Sequence, residues 1–131
     1  MAVLIDTSVF VAVERRRFAL RDLIRPEERY FISVVTAAEL LHGVHRATGR
    51  RAQTRSAFVE GLLSGFGALG LDLTVARAYA RVSAELARRG RPVDANDLWI
   101  GATAIAHDLE MLALDGDFGR IPGVRTATLS N

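Results

Sequence analysis

The chain has 131 residues, half of them hydrophobic, which fits one domain around one packed core. Cysteine is absent and the net charge is only +2, so disulfides and thiolate metal sites are excluded, and bulk charge does not mark a nucleic-acid binder. All 17 basic residues are Arg, which excludes a P-loop lysine and a Schiff-base lysine. An Arg-biased codon usage is the simplest source of that pattern. The N-terminus opens on an apolar run without the sections of a signal peptide, and no apolar stretch reaches the roughly 18–20 residues of a membrane span. A cytoplasmic, non-membrane protein is expected.

In chain order, Ala2 to Ile5 is a short apolar run closed by Asp6, which predicts a buried strand over 2–6. Helices are expected from Ser8 to Arg15 and around 18–24, then a strand from Tyr30 to Val34. Helices follow over Thr36 to Thr48 and Arg51 to Phe66, and a strand over Ala68 to Leu73. Thr74 is expected to cap a helix with the apolar stripe Val75, Tyr79, Val82 and Leu86, ending at Gly90. Asp94 opens a helix to about His107 that is apolar nearly all round and should be buried. Met111 to Leu114 and Val124 to Leu129 are the last expected strands. Strands separated by helices imply an α/β domain, a parallel sheet with helices on both faces.

Four acids fall at strand ends or helix starts, which share one edge of such a sheet: Asp6, Glu39, Asp97 and Asp115. Each also has a local reading. Asp6 suits an N-cap, and Thr36-Ala37-Ala38-Glu39 matches a capping box in which Glu39 points away from the stripe Ala37, Leu40, Leu41 and Val44. Gly43, one turn on, leaves open space beside that carboxylate. Asp94-Ala95-Asn96-Asp97 resembles a capped start, although a carboxylate opening a buried helix needs a partner. Asp115-Gly116 reads as a turn, with Asp117 just beyond it. Independent caps would also lie on that edge; convergence into one cluster is the stronger expectation. Several carboxylates at close range require a compensating cation or proton.

In order and spacing, Ile5-Asp6-Thr7-Ser8, Ala38-Glu39-Leu40-Leu41-His42-Gly43, Asn96-Asp97-Leu98-Trp99-Ile100-Gly101 and Asp115-Gly116-Asp117-Phe118 resemble the four acidic motifs of PIN-domain ribonucleases. The resemblance is greatest to the VapC toxins of type II toxin–antitoxin modules and spans nearly the whole chain. It implies one three-layer PIN-like domain over residues 1–131. Asp6, Glu39, Asp97 and Asp115 would be its catalytic, metal-site carboxylates, with Asp117 a supporting acid and Thr7 a hydroxyl orienting Asp6. Ala113 departs from the Ser or Thr that relatives often carry two residues before the fourth acid. An antitoxin partner of the VapB type is implied, its C-terminal segment directing a basic side chain at the carboxylates, and so is a homodimer.

An all-oxygen site without Cys favours Mg²⁺ or Mn²⁺ over zinc. The expected reaction is hydrolysis of RNA phosphodiesters by metal-activated water, with the number of ions open and Glu39 either ligand or general base. Cations at the rim would hold phosphates: Arg15, Arg46 and Arg50 above all, then Arg16, Arg17, Arg51 and Arg55, with Arg77 and Arg81 on one helix face. Most of these also suit solvated surface. His42, His45 and His107 are expected at packing or surface positions, since two His without a third soft ligand make a poor zinc site. Competing expectations are a structure-specific DNA nuclease on the same acids, a non-catalytic PIN-like binding module, and a phosphatase with Asp6 as nucleophile. The last lacks a second Asp, with Ser8 two residues on, and a Lys.

Overall fold

A computed structural model describes residues 2–114 and 116–128. Five strands, β1 (Ala2–Ile5), β2 (Arg29–Ser33), β3 (Gly67–Leu69), β4 (Glu110–Ala113) and β5 (Arg125–Thr128), form one sheet in the order β3-β2-β1-β4-β5. Every pairing is parallel, with Leu4 opposite Phe31 on one side and Met111 on the other. Six helices connect them: α1 (Thr7–Glu14), α2 (Leu20–Leu23), α3 (Val34–Arg46), α4 (Gly49–Gly65), α5 (Leu73–Arg88) and α6 (Ala95–Ala106). A 3-10 turn over Asp117–Arg120 follows β4.

The two-residue period of β1 builds a layer on each face. Ile5 turns toward Val9 and Phe10 of α1, Leu40 of α3 and Val59 and Leu62 of α4. Leu4 turns the other way, onto Val82 and Leu86 of α5 and Leu98, Ile100 and Ala104 of α6. Both β1 residues are fully buried, as a parallel sheet covered on both sides requires. Helix α6 is buried at Leu98, Ile100, Gly101, Ala102, Thr103 and Ala104, in agreement with its apolar composition. Of the expected α5 stripe, Val75, Val82 and Leu86 are buried, and Tyr79 stacks on Trp99 with ring centroids 3.8 Å apart.

Three local expectations change. Helix α3 starts at Val34, two residues before the expected Thr36, because the Ser33 hydroxyl caps it by accepting from the Val35 amide; Val34, expected as the last residue of the strand, is the first of the helix. Helix α5 is capped by Asp72 rather than Thr74, the Asp72 carboxylate accepting from the Val75 amide. Strand β3 stops at Leu69, and Leu71 and Leu73 beyond it are exposed.

Helix α5 ends as expected at Gly90, which has φ +64°. Its amide donates to Ala87 O and the Arg91 amide to Leu86 O, the paired bonds of a Schellman turn. Nothing lies within 4 Å of a Cβ built at Gly90, so only backbone conformation penalises a side chain there. Gly90→Ala is expected to lower stability by about 1 kcal/mol, read as a lower urea midpoint at unchanged slope.

The order of strands places a site. From β1 the chain moves outward through β2 to β3, then returns through α5 and α6 to β4 on the other side of β1 and on to β5. The connections thus diverge between β1 and β4, and ligand crevices in open α/β sheets lie beyond the strand C-termini at such a point. Asp6 follows β1 there, its amide donating to Leu112 O of β4 at 2.9 Å.

Candidate active site

Asp6, Glu39 and Asp97, brought from three distant segments, line one cavity of about 330 Å³ at this crevice. Val11, Ala12 and Leu114 supply its apolar wall, and Arg15 and Arg17 its cations. The Asp115 expectation lies outside the described residues, as does the side chain of Asp117. Among the described residues no three Asp, Glu, His or Cys side chains close on a single point, so the three acids share a cavity rather than a ready-made cage.

Asp6 is 5% exposed and serves as N-cap of α1 while lining the cavity, so the capping and site readings coexist. Its Oδ2 accepts from the Ser8 amide at 3.1 Å and the Ser8 hydroxyl at 2.6 Å. Asp97 is half-buried in the first turn of α6, whose cap is Asp94; the Asn96 and Asp97 amides donate to the Asp94 carboxylate. The N-termini of α1 and α6, the positive ends of their dipoles, thus lie at the cavity.

Glu39 is not a capping-box residue, because α3 begins five residues earlier and Ser33 caps it. Its carboxylate faces the cavity, with Oε1 accepting from the Thr7 hydroxyl at 2.7 Å and Oε2 from the Asn96 amide group at 3.4 Å. Thr7 therefore orients Glu39, and Asp6 is oriented by Ser8, a correction to the expected pairing. The Thr7 and fully buried Thr36 hydroxyls lie 3.0 Å apart. Thr7 spends its one proton on a carboxylate that can only accept, so Thr36 supplies the proton between them.

Ser8, Thr36 and Asn96 escaped the sequence reading. Ser8 and Asn96 each lie within two residues of a candidate acid, the only signal available. Ala113 is fully buried in the core against the α5–α6 layer, so a hydroxyl is not missed in the cavity itself. The amide at this end of β4, that of Leu114, donates to the Ser8 hydroxyl instead.

A second cavity of about 450 Å³ adjoins the first and shares Thr7, Val11, Arg15 and Glu39 with it. Arg51, Arg55 and Phe58 line its far side. The space expected beside Gly43 is partly taken by Arg55, whose Cδ and Nη1 lie 3.8 Å from a Cβ built there. Arg55 is also paired with Glu14 at 2.9 Å, joining α4 to α1. Arg46 and Arg50 are exposed and line neither cavity; Arg77 and Arg81 are exposed on α5. His42, His45 and His107 are all exposed, as expected.

Arg15 and Arg17 are brought to the cavity by a turn that sequence rules disfavour. Arg16 has φ +61° while its amide donates to Val13 O and that of Arg17 to Ala12 O, a Schellman turn without glycine. A left-handed non-glycine residue costs roughly 1–2 kcal/mol, and such strain gathers at functional sites. Far from the cavity, hydrogen bonding to Arg88, reinforced by Arg89, holds the exposed Glu85 carboxyl below its ordinary range.

Comparison with known proteins agrees with this geometry. The PIN domain profile matches residues 3–124. Ribonuclease VapC4 of Mycobacterium tuberculosis is 37% identical over 126 residues, which are 96% of this chain and 95% of that protein. A chain in the crystal structure of VapBC-5 from Mycobacterium tuberculosis, a member of the VapBC family of toxin–antitoxin systems, superposes with TM-score 0.80 at 33% identity over 98% of both chains. A chain of VapBC2 from Rickettsia felis, bound to a DNA fragment from their promoter, superposes with TM-score 0.89 at 21% identity, covering 99% of this chain and 100% of that one, a likeness of fold. The chain belongs to the PIN domain family, among the VapC ribonucleases.

Proposed function

We propose that this protein is an endoribonuclease that hydrolyses RNA phosphodiesters with Mg²⁺ or Mn²⁺ and acts in the cytoplasm as the toxin of a VapBC-type pair. The observation that carries the reading is the meeting of Asp6, Glu39 and Asp97, from three separate motifs, in one cavity at the sheet's switch point. The all-oxygen lining fits a hard cation, which Asp6 and Asp97 would hold together with Asp115. When bound, such an ion lowers the pKa of water and offsets charge on the phosphoryl oxygens.

The chain's own residues do the rest. Ser8 fixes Asp6, and Thr7 and Asn96 fix Glu39 at both oxygens, so Glu39 is oriented to take up a proton from water or to contact the ion. Arg15 and Arg17 hold phosphates against the acidic wall, and Arg51 with Phe58 extends the track for a polymer in the adjoining cavity. The antitoxin's basic side chain would occupy the same acids, and the toxin would act as a homodimer. Mapping of cleavage ends in total cellular RNA tests this. Wild-type protein with Mg²⁺ is expected to create discrete new ends, absent with Asp97→Asn and after chelation. Identical ends from Asp97→Asn, or cleavage of DNA alone, would refute the reading.

A further inference from the structure

We propose that Ser8 is a positioning residue that couples two of the site's motifs, setting the Asp6 carboxylate and the end of β4 with a single hydroxyl; this rests on the reading above. The Leu114 amide lies 3.1 Å from Ser8 Oγ, and Ser8 Oγ lies 2.6 Å from Asp6 Oδ2. The direction of both bonds is forced. An amide N–H can only donate, an ionised carboxylate can only accept, and the hydroxyl has one proton. The relay therefore runs from the Leu114 N–H to the Ser8 oxygen and from the Ser8 O–H to Asp6.

Two consequences follow from that direction. The bond to Asp6 is short and charge-assisted, and the amide behind it polarises the hydroxyl further. With the Ser8 amide also on Oδ2 at 3.1 Å, the Asp6 carboxylate is held by two donors from one residue and cannot rotate freely. At the other end, the last registered pair of β1 and β4 is Ile5 with Leu112 and that of β4 and β5 is Ala113 with Thr128, so among the described residues Leu114 lies just beyond both ladders. Ser8 holds it instead, one residue before the chain reaches position 115. Packing does not explain a hydroxyl here, because the apolar wall of the cavity beside it is already supplied by Val11, Ala12 and Leu114.

Removal of a group that orients a metal-site carboxylate typically lowers metal affinity or activity by about 10- to 100-fold. Ser8→Ala is thus expected to weaken Mn²⁺ binding by about tenfold in calorimetric titration. It should lower kcat for RNA cleavage by about 10- to 100-fold at unchanged KM. Hydrogen exchange of the Leu114 amide should accelerate in the same protein, a readout that needs neither metal nor turnover. Ser8→Cys, which keeps the side-chain volume but donates weakly, guards against a folding defect in Ser8→Ala and is expected to fall in the same direction. Ser8→Thr, which keeps the hydroxyl, should restore affinity and kcat. Wild-type Mn²⁺ affinity and kcat in the folded variants would overturn the proposal. An Asp6→Asn control separates the two failures: if it is inactive while the Ser8 variants are fully active, only the coupling role falls; if it too is fully active, the nuclease reading falls.

Discussion

Asp6→Asn is expected to lower RNA cleavage by more than about 100-fold while leaving the protein folded. Loss of a group that merely orients a metal-site ligand costs about 10- to 100-fold, and loss of the ligand's own charge should exceed that. The fold should survive because Asn caps helices as well as Asp does and still offers an oxygen to the Ser8 amide and hydroxyl. At 5% exposure Asp6 makes no surface contribution that the change could disturb. Single-turnover cleavage of a defined RNA, alongside a circular-dichroism melt, separates the two effects. A folded Asp6→Asn protein with full activity would remove Asp6 from the chemistry.

The largest effect on stability is expected from Phe10→Ala. Phe10 is fully buried on α1, packed with Ile5, Ile32 and Leu62, and meets Phe66 edge to face with ring centroids 5.5 Å apart. Deleting such a ring leaves a cavity between two layers that can relax only in part, a loss of about 3–5 kcal/mol. Native domains hold about 5–15 kcal/mol in all, so the urea midpoint should fall sharply at constant slope. Because α1 begins at Thr7, within the site, cleavage by this variant should also fail at a lower temperature than in the wild type. A stability loss under about 1 kcal/mol would mean that α1 is not anchored as described.

The layers were legible in the sequence because they follow from periodicity. The apolar Ala2–Ile5 run, the α5 stripe and the apolar α6 each leave a pattern that tertiary packing then reinforces. The edge on which the acids gather followed from the α/β alternation alone. What stayed hidden are contacts between residues far apart in sequence. Thr7 on Glu39 spans 32 positions and Ser8 on Leu114 spans 106, and no local pattern distinguishes such hydroxyls from ordinary helix starts. Cap positions failed for a different reason. Ser33 and Asp72 compete with Thr36 and Thr74 a few residues away, and all four are residue types that cap helices, so local sequence does not choose between them. The Arg15–Arg17 turn was equally hidden, since a left-handed residue without glycine contradicts the rule that would find it.

The most direct measurement is an anomalous difference map from crystals soaked in Mn²⁺. A peak is expected in the cavity between β1 and α6, with carboxylate oxygens of Asp6 and Asp97 directly or through one water, at the roughly 2.0–2.6 Å typical of hard divalent ions where they ligate directly. Ordered Mn²⁺ at other sites with this cavity empty would contradict it.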